Sequence, residues 1–152
     1  MRPLVGHWVT VPDGSERARA SATHCSRSFT MFGKRWLRLE ARWDAGIEGY
    51  RETAFFGAGA DGTLAVYSFT SDGKKSHGVQ VDGSDVHPAA LAFESQMPAG
   101  LARMVYWPID DGAPGFYFAV DNKVKAGWNR FLRHSYRPIE PTAQASGQSS
   151  TT

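Results

Sequence analysis

Asp-Gly pairs punctuate this chain at Asp61-Gly62, Asp72-Gly73, Asp82-Gly83 and Asp111-Gly112. Both residue types tolerate positive φ, so such pairs suit tight turns between antiparallel strands. Gly33, Gly46 and Gly49 mark further breaks, and Met97-Pro98-Ala99-Gly100 another. The segments left between them predict strands at about 4–11, 23–31, 35–43, 50–57, 63–70, 75–81, 89–96, 101–107, 115–120 and 128–137. Short strands at regular turn spacing are the pattern of a sandwich or barrel. Helix signals are thin. Ala89-Ala90-Leu91-Ala92 is a good helix former, so one or two turns could fall between His87 and Gln96.

Aromatic residues reinforce the β reading. The chain holds nine Phe, five Trp and five Tyr, and rings of this size favour pleated surfaces and fill cores and pockets. The expectation is therefore an all-β, mostly antiparallel domain of roughly ten short strands over residues 1–137, a closed barrel rather than a sandwich. From Pro138 to Thr152 the chain turns to Pro, Thr, Ser, Gln, Ala and Gly. That tail has little to bury and is expected to be disordered. Residues 12–22 read as a polar connection forming a mobile barrel mouth.

Seventeen basic against 15 acidic residues leave a net charge of +2, too balanced for nucleic acid as the main partner. Basic residues gather at Arg27, Lys34, Arg35, Arg38 and Arg42 and again from Lys123 to Arg137, but Glu40 and Asp44 interrupt the first group. A solvated mixed surface is the reading for both. Cys25 is the single cysteine, so no intrachain disulfide or thiolate cluster can form. Met1 to Trp8 lacks a signal-peptide pattern, and no apolar run is long enough to span a bilayer as a helix. A cytoplasmic protein without a membrane partner is expected.

Alternation assigns faces only in part. In the last strand Trp128, Leu132 and Tyr136 share a parity with Arg130 and His134, against the more polar set Asn129, Phe131, Arg133, Ser135 and Arg137. Trp128, Arg130, Leu132, His134 and Tyr136 are therefore placed inside. Strand 35–43 offers Leu37, Leu39, Ala41 and Trp43 on one face and Trp36, Arg38, Glu40 and Arg42 on the other. Strand 50–57 carries Tyr50, Glu52, Ala54 and Phe56 on one face. Neither strand settles its own orientation, because a cavity for a polar ligand would carry charges too.

Leu4-Val5-Gly6-His7-Trp8 resembles the Gly-x-Trp opening of lipocalin-like (calycin) barrels, and most of all the small bacterial lipocalin-like proteins of unknown function. The ordered series Phe32-Gly33, Gly57-Ala58-Gly59, Ser71-Asp72-Gly73 and Tyr136-Arg137 extends the resemblance over residues 4–137. It implies an antiparallel up-and-down barrel of about 8–10 strands with an internal cavity and no particular ligand. It also implies an Arg from the last strand packed over Trp8, with Arg137 favoured over Arg133. Haem-binding nitrobindin-like barrels place a glycine-rich stretch after Gly-x-Trp. Here Trp8 is followed by Val-Thr-Val-Pro, so haem is disfavoured and no cofactor is expected. Fatty-acid-binding proteins close with Arg-x-Tyr, whereas Arg133-His134-Ser135-Tyr136 is one residue out of step.

Candidate chemical groups are few. His7, His24, His77, His87 and His134 show no metal-ligand spacing, and only His134 falls on the presumed inner face. Cys25 has no activating base in sequence. Ser26 and Ser28 lack a nucleophile elbow, and Gly57-Ala58-Gly59 is not followed by a phosphate-loop Lys. Glu40 and Glu52, on neighbouring strands, could serve acid–base chemistry if both faced one cavity. The leading expectation is a non-enzymatic barrel binding a small, mainly apolar molecule, with Arg130, His134, Tyr136, Trp43 and Glu52 as ligand-binding residues. Alternatives are an enzyme using Glu40 or Glu52 with His134, and a homo-oligomeric module using Trp36, Tyr67 and Phe69.

Overall fold

The computed structural model describes residues 2–11, 25–43 and 50–139. The polar connection at 12–22 and all but the first two residues of the 138–152 tail lie outside these. After a 3-10 turn at Arg2–Leu4 come β1 (Gly6–Val11), β2 (Cys25–Phe32), β3 (Trp36–Trp43), β4 (Tyr50–Ala58) and β5 (Leu64–Thr70). Then follow β6 (Lys75–Val81), β7 (Leu91–Met97), β8 (Gly100–Pro108), β9 (Phe116–Val124) and β10 (Gly127–Pro138). Each strand pairs antiparallel with its neighbours in sequence, and β1 closes the ring on β10. This is the expected up-and-down barrel, with ten strands. Closure gives each of these strands a neighbour on both sides. Among the described residues no helix is long and apolar enough to cross a membrane.

Directly paired residues share a face of the sheet, so the register fixes the interior. Arg27, Ala41, Glu52 and Thr70 form one row across β2 to β5. Phe93, Met104, Val120 and Leu132 form another across β7 to β10. Leu37, Leu39, Ala41, Ala54 and Phe56 belong to the buried core, which settles the faces of β3 and β4 that alternation alone left open. The residues from His87 to Gln96 give a turn followed by β7, not a helix. Phe93 and Ala92 are both fully buried on opposite faces of that strand, a demand that strand geometry meets.

The expected inner face of the last strand needs correction. Pairing runs from Arg130↔Asp121 directly to Leu132↔Val120, so Phe131 is an extra residue in a β-bulge. The bulge reverses parity. Leu132, His134 and Tyr136 point inward as expected, whereas Trp128 and Arg130 point outward. Pro138 does not stop the ladder either. It pairs with Trp8, and the amide of Ile139 donates to the carbonyl of His7 at 2.9 Å.

The end of the barrel at which β1 begins is built of packed aromatic side chains. Trp8, Phe29, Phe56, Phe93, Tyr106, Phe116 and Tyr136 are each less than a tenth exposed and touch one another edge-on or stacked. The Trp8 indole donates to the carbonyl of Leu4 at 2.8 Å and meets Phe116 edge-on at 4.9 Å. Arg137 does not stack on it. Being of opposite parity to Tyr136, Arg137 lies on the outer wall, where it pairs with Asp111 and donates to the carbonyl of Pro114.

The outer wall has a second small core. Asp82-Gly83 does not make a hairpin turn. It opens a connection, 82–90, whose Val86 and Ala90 pack on Ala92, Val105, Trp107 and Ala119. Beside it a charged network covers the wall. Asp121, 1% exposed, accepts from Arg103 Nε at 2.9 Å and Arg130 Nε at 2.8 Å. Arg103 grips Asp85 with its two remaining nitrogens and lies 4.6 Å from the Trp128 ring.

Candidate functional site

The other end of the interior holds a cavity of about 490 Å³. It begins above the aromatic cluster and extends to the end of the barrel where Trp43, Tyr50, Thr70 and Met97 stand. Its wall is mainly apolar, with Phe93, Met104, Phe118, Val120 and Leu132, and a few polar groups break it: Arg27, Glu52, Ser68, Ser95 and His134. Ligand pockets commonly hold about 300–1,000 Å³ and combine apolar walls with a few placed polar groups.

Arg27 is the unusual member. It is 2% exposed and stands where the packed half meets the cavity. Its Nε donates to the Tyr136 hydroxyl at 3.0 Å and its Nη1 to the Tyr106 hydroxyl at 3.2 Å. Its guanidinium lies 4.1 Å from the centre of the Phe118 ring and 5.7 Å from that of Trp43. Burial works against the charge, but the surrounding Tyr136, Tyr106, Cys25 and Glu52 outweigh it, holding the guanidinium well above its ordinary titration range. Burial likewise pushes both phenols, Tyr106 and Tyr136, above the ordinary tyrosine range. They remain neutral hydrogen-bond partners. Among the described residues no carboxylate forms an ion pair with Arg27.

Of the residues expected to bind a ligand, Trp43, Glu52 and His134 line this cavity. Glu52 accepts a hydrogen bond from Ser68. Tyr136 is inward-facing but lies beneath the cavity, fully buried, and its hydroxyl holds Arg27. Arg130 is outside, committed to Asp121. Glu40 and Glu52 stand on opposite faces of the wall. Glu40 accepts from Thr53 and pairs with Arg38 at 3.8 Å, so the two carboxylates do not share a site. Cys25 is buried, and that burial raises its thiol pKa, the reverse of what a nucleophile needs. Trp36, Tyr67 and Phe69 lie on the outer wall, with Tyr67 stacked on His77 at 4.7 Å. Among the described residues no three His, Cys, Asp or Glu side chains are gathered as a metal site.

Sequence reading missed Arg27, which it counted with a solvated basic group. A signal was present: Cys25 and Phe29 flank Arg27 on one parity while Ser26 and Ser28 occupy the other. An arginine on the apolar parity of a strand is a candidate for burial.

The site therefore defines a class: a closed antiparallel barrel with an internal cavity and a buried guanidinium bordering it. Comparison with known protein families and with curated proteins finds no match to this chain.

Proposed function

We propose that this protein is a non-enzymatic, lipocalin-like binding barrel that takes one small, mainly apolar molecule into its cavity. The observation that carries this reading is the mainly apolar cavity of about 490 Å³ that lies inside the barrel beside its aromatic cluster. A barrel of this size can fill its interior completely with side chains. Here residues of modest size, Ser68, Ser95 and Ala102, face the space instead. The order of short motifs from Gly6-x-Trp8 to Tyr136-Arg137 supports the lipocalin-like assignment. Glu40 and Glu52 lie on opposite faces of the wall, so the cavity does not bring those two carboxylates together, while Glu52 and His134 both border it.

The test uses N-phenyl-1-naphthylamine, a neutral apolar dye that brightens out of water. Saturable binding at one dye per chain is expected. Ala102→Trp, which places an indole in the cavity, should abolish it while circular dichroism keeps the β signature. Absence of saturable binding, or binding indifferent to Ala102→Trp, would overturn the reading.

A further inference from the structure

Resting on the cavity reading above, we infer that the inner end of the cavity is an anion subsite, and that the ligand is an amphipathic monocarboxylate whose head group meets Arg27. Bringing a guanidinium to 2% exposure is costly, and buried charges are normally paired. Arg27 is not. Its Nε and one proton of Nη1 go to neutral phenols. Its other hydrogen-bonding neighbour is the Cys25 thiol, a weak acceptor. Among the described residues no oxygen accepts from the second Nη1 proton or from Nη2, and Arg27 borders the cavity. The Nη1–Nη2 edge is the fork that fits a carboxylate through two parallel hydrogen bonds.

Tyr106 and Tyr136 fix the plane of that fork, and Phe118 covers one face of it. The head group is thus met by a preoriented donor pair rather than by a flexible chain. Glu52 faces the same cavity and could have filled the role internally. It forms no ion pair with Arg27 and accepts from Ser68 instead. Beyond the guanidinium the walls are mainly apolar, with Phe93, Met104, Phe118, Val120 and Leu132, which suits a hydrocarbon-like remainder. Lys75 at the outer end adds positive potential along the entry route, while Lys74 there is shared with Asp72 at 3.7 Å.

The experiment displaces the dye with decanoate and with decanol at pH 7.5. Decanoate should bind at least about tenfold more tightly, the scale of a charge-assisted hydrogen-bonded pair. In Arg27→Met the preference should vanish while decanol still binds. Carbon-13 NMR of carboxyl-labelled decanoate on the unmodified protein gives a second reading that needs no variant to fold. The bound carboxyl should titrate below its free value, because the adjacent cation favours the ionised form. Equal affinity for acid and alcohol, or a bound carboxyl titrating above its free value, overturns the anion subsite and leaves the cavity reading standing. If dye, acid and alcohol all fail to bind, both fall.

Discussion

Arg27 depends on two phenols, and that dependence is measurable residue by residue. Tyr136→Phe removes the acceptor for Arg27 Nε in a site with no water-exposed alternative. An unmade buried hydrogen bond costs about 1–3 kcal/mol, and a urea midpoint should report a loss of that size. In an Arg27→Met background the same substitution should cost less than about 1 kcal/mol, because the orphaned donor is gone. Equal losses in the two backgrounds would mean that Tyr136 matters only through its stacking on Phe116. Gly57 makes a different kind of demand. It lies on the outer wall beneath the Trp36 ring, and a Cβ built there would stand 2.4 Å from that ring. Gly57→Ala should therefore lower stability by about 1–3 kcal/mol, as overpacking does. The loss should disappear when Trp36 is also changed to Ala. If it persists, backbone conformation rather than the ring selects glycine.

Strands and their connections show where sequence patterning holds and where it breaks. β3 is legible once its partner is known, since Leu37, Leu39 and Ala41 alternate with Arg38, Glu40 and Arg42 without interruption. β10 is not, because a period of two carries no mark of an inserted residue. One bulge at Phe131 moved Arg130 from the cavity to the outer wall. Nor was the end of β9 visible. Asp121-Asn122-Lys123 reads as loop by composition, yet these residues extend the strand, because Asp121 is neutralised by arginines from both flanking strands. The cavity followed from the sequence only as a consequence of closure, and Arg27 was missed because it was grouped by charge with Lys34, Arg35, Arg38 and Arg42 rather than by its parity with Cys25 and Phe29. The outer network is itself testable. Asp121→Ala strands Arg103, which is 4% exposed, and breaking a buried pair in this way costs about 3–5 kcal/mol. The low end is expected, since Asp85 still holds Arg103. Asp85→Ala, at a carboxylate whose side chain is 55% exposed, should cost under about 1 kcal/mol. Thermal melts that rank the two variants in the opposite order would show that the network is anchored on the 82–90 connection and not on β9.

At the scale of the whole barrel, acid and closure act on different parts of the molecule. Arg103 holds the Asp85 carboxyl below the usual range, and Arg137 does the same for Asp111. For a carboxyl lowered on folding, the stabilising contribution is complete above the unfolded value of about 3.9 and is lost as pH falls through the folded value. Stability should thus decline below about pH 4, and the decline should be shallower in Asp85→Asn. An unchanged slope would assign the acid sensitivity to other groups. Closure depends instead on Trp8, where β1 meets β10 over the packed end. Its indole is 7% exposed, bonded to Leu4 and set edge-on to Phe116. Truncating such a side chain costs about 3–5 kcal/mol, a large part of the roughly 5–15 kcal/mol that holds a domain of this kind together. Arg137 acts from outside, tying the end of β10 to the β8–β9 connection, 109–115, through Asp111. The resemblance to lipocalin-like barrels led us to expect that these two residues would touch. The wall between them says that they act independently. Trp8→Ala and Arg137→Ala should therefore lose stability additively in the double variant, within about 0.5 kcal/mol. A coupling clearly larger than that in a denaturant-derived double-mutant cycle would mean that Arg137 reaches the indole in solution and that the closed end is built differently.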